Sequence, residues 1–147
     1  TAAGRALIDD ANAAAQRVTL GVTQKTPLDR STGDNTVAIG TTTYIGVGGH
    51  NTGLGEMYVP VPFAGTLSQF VARSAGAPGA GETFVYTVMN ASTATALTVT
   101  ISNPNNQAND AVNSVTVAAG DLIHVRLVTS AGATVTRHHC SMQYVPS

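Results

Sequence analysis

Apolar and polar residues alternate over several short stretches after residue 35, most clearly over residues 83–88, 97–101, 115–117 and 123–128. A period of two with many β-branched residues predicts half-buried antiparallel strands. Further strands are predicted near Thr36–Ile39, Thr42–Val47, Glu56–Val61, Thr66–Arg73 and Thr134–Tyr144, with loops at Gly46–Gly55, Ser74–Gly81, Asn103–Asn113 and Ser130–Ala133. About nine short strands separated in this way indicate a β-sandwich or jelly roll.

The first part of the chain has a different character. Residues 1–34 hold more than half of the charged residues, and the first aromatic residue is Tyr44. A charged segment without aromatic residues cannot build its own core. The turn-forming cluster Ser31–Asn35 therefore predicts a boundary, with a connector or docking arm over residues 1–34 and a sandwich domain over residues 35–147. The predicted fold is all-β, a jelly-roll-like antiparallel β-sandwich with a short N-terminal helical or extended connector.

A short helix is predicted within the connector, over Asn12–Val18. Asn12 can cap its N-terminus, and Gly21 can end the segment because glycine tolerates positive φ. A narrow apolar stripe runs along the segment, formed by Leu7, Ala11, Ala14 and Val18. Such a stripe is typical of helices that pack against sister copies. The alternative is a helix that lies on its own β domain.

Low charge limits the partners that the chain can have. Charged residues make up 10% of the sequence and the net charge is −1, whereas about a quarter is usual. The chain lacks the excess of cations that nucleic-acid binding requires, so no nucleic-acid partner is predicted. It also lacks an apolar run long enough to span a membrane. The start has neither an initiator Met nor a signal-peptide core, which indicates a processed chain or a piece of a longer one.

One segment, His138-His139-Cys140, contains the residue types that bind soft metals. On a strand, His138 and Cys140 point to one face and His139 to the other. The favoured interpretation is a packed strand with a buried cysteine, a common environment for that residue. The alternative is a zinc site on a symmetry axis, to which each subunit would donate His138 or His139. Cys140 is the single cysteine, so a disulfide within the chain is excluded. The sequence predicts no bound metal or cofactor.

Motifs for catalysis are lacking in the sequence. It has no Gly-x-Ser-x-Gly nucleophile motif, and its only glutamates, Glu56 and Glu82, are far apart. A pair of acids for glycoside hydrolysis could come from distant positions, but nothing singles out such a pair. We therefore expect a protein that is not an enzyme.

Two loops carry candidate binding residues. The glycine-rich loop Gly46–Gly55 has no lysine and precedes a predicted strand, so it does not fit a phosphate-binding loop. It contributes His50 and Asn51 as candidates. The amide-rich loop contributes Asn103, Asn105, Asn106 and Gln107. Amide side chains suit sugar hydroxyls because each offers donors and an acceptor, although solvated loops commonly contain the same residues.

The segment Gly4–Gly21 includes Gly4-Arg5-Ala6-Leu7-Ile8, then Ala13-Ala14-Ala15-Gln16-Arg17 and Thr19-Leu20-Gly21. It resembles a segment that is frequent in tail fibres and related fibrous virion proteins of tailed bacteriophages, where it precedes a distal domain. The remainder resembles a second phage-associated module through Phe63–Ser68, Gly76–Val88 and Ala118–Leu122. This second resemblance implies a jelly roll similar to the tumour-necrosis-factor-like fold that assembles as a homotrimer.

The resemblance leads us to expect a structural virion protein on the particle surface. The first hypothesis is a homotrimeric fibre or receptor-attachment domain, whose partners are other virion proteins and a host-surface receptor or glycan. A second hypothesis is a capsid-decorating or head-fibre protein that docks through residues 1–34. A third is a glycan-binding, lectin-like module or a polysaccharide-degrading enzyme.

Overall fold

Alternating burial divides the described part of the chain into strands. The structure is a computed structural model, and it describes residues 15–16, 20, 25–53 and 57–147. The strands are β1 Thr26–Ser31, β2 Thr42–Ile45, β3 His50–Asn51, β4 Val59–Pro60, β5 Gly65–Ser74, β6 Thr83–Asn90, β7 Thr93–Ser102, β8 Gln107–Val117, β9 Leu122–Thr129 and β10 His138–Pro146. The described residues contain no helix long and apolar enough to cross a membrane.

The strands form two antiparallel sheets. The four-stranded sheet has the order β1-β10-β5-β8, and the six-stranded sheet has the order β3-β2-β9-β6-β7, with β4 also paired to β9. Without the two-residue strands β3 and β4, the first strand pairs with the last, the second with the seventh, the third with the sixth and the fourth with the fifth. This nested pairing defines a jelly roll. The predicted all-β, jelly-roll-like antiparallel sandwich is therefore confirmed.

The apolar core lies between the two sheets. Along β7, Leu97, Val99 and Ile101 are buried, whereas Thr98 and Thr100 between them are exposed. A period of two places alternate side chains on opposite faces of a strand, so each sheet contributes one apolar face to the core. The largest fully buried apolar side chains are Tyr86, Phe70, Phe84, Ile45, Leu67, Leu97, Ile101, Ile123, Leu127 and Met142.

The two ends of the sandwich differ in their loops. The end that we call the entry end holds Thr26, where β1 begins, and Ser147, whose amide donates to Ala64 O at 3.0 Å. The opposite end, which we call the distal end, is closed by the loops that follow β1, β5, β7 and β9. A chain that arrives at Thr26 therefore enters the sandwich at the end opposite these loops.

Strand β1 comes from a segment that the sequence assigned to the connector. Thr26–Ser31 pairs with β10 along its whole length, from Thr26 opposite Tyr144 to Ser31 opposite His139. Its polar and charged residues hide the strand pattern, yet Leu28 packs against the core and Arg30 is buried. Whether the residues before Thr26 form a separate unit stays a prediction.

Other predicted elements changed in extent. The predicted strand Thr36–Ile39 is wrong, because this segment makes only an isolated bridge between Val37 and Thr136. The loop predicted over Asn103–Asn113 ends earlier, since β8 begins at Gln107 and pairs with β5. Asparagine and aspartate are rare in strands, but pairing with a neighbouring strand overrides that preference.

The predicted helix Asn12–Val18 lies largely outside the described residues. Of its length, the structure describes Ala15 and Gln16, which have helical backbone, and Gln16 O accepts a bond from the amide of Leu20 at 3.0 Å. The residues of the predicted packing stripe also lie outside the described part: Leu7, Ala11, Ala14 and Val18.

Two valines, one in each sheet, test the position of the core. Val125 is 0% exposed and Val112 is 92% exposed. Val125→Ala should lower the free energy of unfolding by about 2–3 kcal/mol, because it removes buried methyl groups and leaves a cavity. Val112→Ala should change it by less than about 0.5 kcal/mol. Urea unfolding measures both, and equal losses would contradict the position of the core.

Candidate functional site

Four loops form a surface at the distal end. These loops, which we call the distal surface, are residues 32–41, 75–82, 103–106 and 130–137. The strands that carry them are firmly paired in the two sheets. Loops that are held by a rigid scaffold carry binding function more often than strands do. The distal surface is therefore the candidate functional site.

Hydrogen bonds connect the loops of the distal surface to one another. Each bond joins segments that are far apart in sequence, and the amide of Val37, in residues 32–41, likewise donates to Thr136 O at 3.0 Å. The bonds are Ser74 N to Asn106 O at 2.9 Å, Ala75 N to Arg137 O at 2.9 Å, Gly76 N to Thr136 Oγ1 at 3.1 Å and Thr134 N to Pro78 O at 2.9 Å.

The charged groups on the distal surface are engaged within it. Arg137 Nη1 donates to Asp34 Oδ1 at 3.3 Å across the loops that precede β2 and β10. Glu82 Oε2 accepts a bond from the amide of Gly132 at 3.2 Å. The ion pair is exposed and contributes little to stability. The charges of Arg137 and Asp34 compensate each other, and Glu82 is the remaining charge of this group. Hydroxyl and amide groups form most of the rest of the polar surface that a partner would meet.

The amide-rich loop lies on the distal surface, as a binding role requires. Asn103, Asn105 and Asn106 are exposed, and Gln107 is exposed at the first position of β8. The Asn105 amide donates to Ser102 O at 2.9 Å, which fixes the loop's backbone. The structure therefore brings these four sequence-predicted candidates together.

The other two binding candidates lie elsewhere. His50 and Asn51 form β3, which pairs with Ile45 and Tyr44 at the edge of the six-stranded sheet. Both residues are half-buried, and Asn51 Oδ1 accepts a bond from the amide of Gly53 at 2.8 Å. They belong to an edge strand of the six-stranded sheet and not to the four loops of the distal surface.

The histidine and cysteine segment is a packed strand. His138 is 0% exposed; its Nδ1 is hydrogen-bonded to Tyr86 Oη at 2.7 Å, and its ring meets the Phe84 ring edge-on at 4.8 Å. Burial, together with the nearby charges of His50 and His139, lowers the pKa of His138 to about 4. Burial likewise raises the pKa of the Cys140 thiol. His138 and Cys140 therefore face the core, as the alternation predicts.

His139 points the other way and is exposed. The three residues of the segment therefore do not converge on one point. Within residues 25–53 and 57–147, no group of three or more His, Cys, Asp or Glu side chains could hold a metal ion. A site on a symmetry axis would have only His139 available from this segment, and it stays a prediction.

His124 is a buried histidine that the sequence analysis did not single out. Its ring lies 5.3 Å from the Tyr44 ring and 5.1 Å from the Tyr58 ring, between centroids. Neither ring nitrogen has a hydrogen-bond partner among the described residues. Burial lowers its pKa to about 4, and the positive charges of Arg30 and Arg126 add to this effect. No signal in the sequence indicated this burial. His124 alternates with Ile123 on β9, and the pattern did not indicate that both faces of the strand would be covered.

Comparisons with known proteins give a likeness of fold. No protein-family model and no curated protein matches the chain. The chain is similar to one in the acidic stable capsid structure of Helicobacter pylori bacteriophage KHP30, with a TM-score of 0.51 and 12% identity over 85% of this chain and 94% of that one. It also aligns with a chain of the disulfide-linked pili of Bacillus endospore appendages, with a TM-score of 0.39 and 17% identity over 86% and 88%. The first likeness shows a shared fold, and the second is too weak to carry an argument.

The buried histidines predict a loss of stability in mild acid. The unfolded chain binds protons on them near the usual pKa of about 6.5, whereas the folded chain binds them only near 4. Stability should therefore fall as the pH drops from about 6.5 to about 4, by about 2 kcal/mol per histidine at pH 5.

His124→Phe isolates one of these contributions, because phenylalanine keeps the ring contacts and cannot take up a proton. The variant should lose about 2 kcal/mol less than the unsubstituted protein between pH 7 and pH 5, as measured by urea unfolding. Thr100→Ser, at an exposed position that adds or removes no titrating group, is the control and should not change the pH dependence. If His124→Phe lost as much stability as the unsubstituted protein, the depressed pKa would be wrong.

Proposed function

We propose that this chain is a structural protein of a bacteriophage virion and that its sandwich is a homotrimeric fibre or receptor-attachment domain at the particle surface. One observation carries the proposal: the chain enters the jelly roll at one end, and the interlocked distal surface lies at the other. The fold likeness to a chain of a phage capsid structure supports a virion role. The resemblance of residues 4–21 to tail-fibre connectors supports a tethered module.

The length of the strands sets the distance between the entry end and the distal surface. Strand β8 has 11 residues, which span roughly 35 Å at about 3.4 Å per residue. A tether attached before Thr26 would hold the entry end toward the particle and present the distal surface at about that distance from the attachment point. Strands paired to their neighbours over most of their length act as a rigid spacer, and β8 is paired to β5 on both sides of one bulge.

The chemistry of the distal surface favours a neutral, polar partner. Its carboxylates are engaged, with Asp34 paired to Arg137 and Glu82 bonded to Gly132. The exposed amides of Asn103, Asn105 and Asn106 can donate to and accept from sugar hydroxyls. Several copies on one particle would raise the apparent affinity of weak sites. We therefore propose a host-surface glycan or glycosylated receptor as the partner, bound without catalysis.

Substitutions in the amide-rich loop test this role. The triple variant Asn103→Ala, Asn105→Ala, Asn106→Ala should weaken binding of the purified chain to host cells by about tenfold or more, which corresponds to about 1.4 kcal/mol. Ser92→Ala with Thr93→Ala, in the exposed hairpin at the entry end, is the control and should bind normally. Binding of radiolabelled chain to cells measures both variants.

The outcome of that experiment also separates the alternatives. Unchanged binding by the triple variant would contradict attachment through the distal surface. Release of oligosaccharide from host glycans would overturn the proposal that the module is not an enzyme. Saturable binding to isolated glycans without release would identify a lectin-like module.

The proposed trimer would form through the outer face of the four-stranded sheet. Strands β5, β8 and β10 are long and form a broad surface, and the side chains of Ser68, Val71 and Ser141 near its centre are small and uncharged. Small side chains allow close approach of two sheets. A closed trimer would also cover the unpaired edges of β1 or β8, which otherwise invite uncontrolled pairing.

Two arginine substitutions test the trimer. Light scattering of the unsubstituted chain at micromolar concentration should give a mass near three chains. Ser141→Arg, at the proposed interface, should reduce the mass toward one chain, because it adds bulk and charge at each contact. Thr100→Arg, on the exposed outer face of β7, should leave the mass unchanged. A monomeric unsubstituted chain would contradict the trimer, and an intact Ser141→Arg trimer would contradict the interface.

A capsid-decorating or head-fibre protein is the second candidate function, and the fold likeness to a capsid chain favours it. In that case the part of the predicted arm that precedes β1, residues 1–24, would dock on the shell. Adding purified chain to particles that lack it distinguishes the two roles. Binding to the shell that survives the triple substitution in the amide-rich loop but is lost on deletion of residues 1–24 would favour this candidate.

A further inference from the structure

Arg30 carries a buried positive charge that the described part of the chain does not neutralise. The side chain is 3% exposed, and its Nη1 donates to Asp29 O at 2.9 Å. Its Nε and Nη2 have no hydrogen-bond partner among the described residues. Burial lowers the pKa of Arg30, but a guanidinium stays charged at neutral pH. A buried charge without an acceptor is costly, so these two nitrogens require one.

The two free nitrogens form one edge of the guanidinium. Nε–H and one N–H of Nη2 point in the same direction, whereas Nη1 lies on the far side. This edge matches the two oxygens of a carboxylate, which it binds through two parallel hydrogen bonds. The unpartnered atoms therefore define both the charge and the geometry of a missing group.

The side chain of Arg30 points into the space between the sheets. Along β1, Leu28 and Arg30 face inward while Asp29 is exposed, and Arg30 lies opposite the buried Cys140. A hollow of about 390 Å³ on the outer face of the same sheet also borders Arg30. The alternation of the strand directs the guanidinium away from that hollow.

A cavity of about 450 Å³ lies between the sheets on the inner side of Arg30. It opens at the edge where β1 and β10 of one sheet face β4 and β9 of the other. Apolar side chains form most of its wall: Leu28, Val59, Val61, Phe63, Ile123 and Tyr144. The Tyr144 hydroxyl donates to Phe63 O at 2.6 Å, so this hydroxyl proton is not free to bond to a ligand. Arg30 is the one charged side chain among the lining residues that the structure describes.

We propose that this cavity binds a small amphiphilic carboxylate, with an apolar tail or ring against the wall. The Nε and Nη2 nitrogens of Arg30 have no exposed surface in this structure, so the guanidinium must turn toward the cavity to hold the carboxylate on that edge. Cavities of about 300–1,000 Å³ hold small molecules, and this volume lies within that range. A phosphate dianion fits less well, because one guanidinium would leave part of its charge uncompensated among apolar side chains. The site lies between the sheets, apart from the loops of the distal surface, and does not rest on the attachment function.

Octanoate and octan-1-ol are the probes, because they share a tail and differ in the anionic group. Calorimetry with the full chain at pH 7 should show saturable binding of one octanoate per chain. Octan-1-ol should bind with an affinity at least about tenfold lower. Arg30→Gln should abolish the preference for octanoate. Its thermal midpoint should not fall, because the substitution removes an unpaired buried charge.

Two further variants keep the result interpretable. Val59→Trp fills the cavity but retains the guanidinium, and it should abolish binding of both probes. Arg73→Gln removes an exposed cation that borders the outer hollow, and it should leave octanoate binding unchanged. Loss of binding in Arg73→Gln with full binding in Arg30→Gln would place the ligand on the outer face and overturn the proposal.

Other outcomes also overturn it. No saturable binding of octanoate would do so, as would equal affinity for octan-1-ol. If octanoate bound only after Glu56→Gln, the acceptor for Arg30 would be a carboxylate of the chain itself. If octanoate did not bind and Arg30→Gln changed the mass of the assembly in solution, the acceptor would belong to a neighbouring chain.

Discussion

The pairing of β1 with β10 is the constraint on which the rest of the structure depends. It joins Thr26 to Tyr144 and Ser31 to His139, more than a hundred residues apart in sequence. This contact closes the outermost pair of the jelly roll and places both ends of the sandwich domain together. It also carries Leu28 to the core and Arg30 between the sheets. The entry end, the opposite distal surface and the cavity all follow from this one alignment.

Low charge gives the two ends different chemistry. Charged residues make up only 10% of the chain. Most of the described carboxylates accept hydrogen bonds from groups close to them in the fold. Asp110 illustrates this, because its Oδ1 accepts from the amides of Val112 and Asn113, which lowers its pKa. Those bonds shape a bulge that interrupts the edge of β8, where a flat edge would invite pairing with other chains. Arg30 differs, because its buried guanidinium donates through Nη1 to a backbone oxygen while its Nε and Nη2 have no partner among the described residues.

Local periodicity predicted the strands whose own side chains alternate. It found β7 and β9, and it also predicted that His138 and Cys140 face the core while His139 does not. It could not find β1 or the first half of β8, because their polar residues are held in strands by partners distant in sequence. The burial of Arg30 could not be predicted for the same reason, because a charged residue next to Asp29 is typical of an exposed strand. The amide-rich loop was predicted as a loop, but only the fold shows which other loops lie with it at the distal end of the sandwich.

The central claim is that the sandwich is tethered at its entry end and presents its distal surface outward on a phage particle. Gold labels attached to cysteines introduced at Asn105 and at Ser92 test it directly, with electron microscopy of labelled particles. Both positions are exposed, and they lie at opposite ends of the sandwich. If the sandwich is tethered in this way, the label at residue 105 lies farther from the particle by roughly the length of the sandwich, about 35 Å. A label at residue 92 that lies farther out, or equal distances for the two labels, would contradict it.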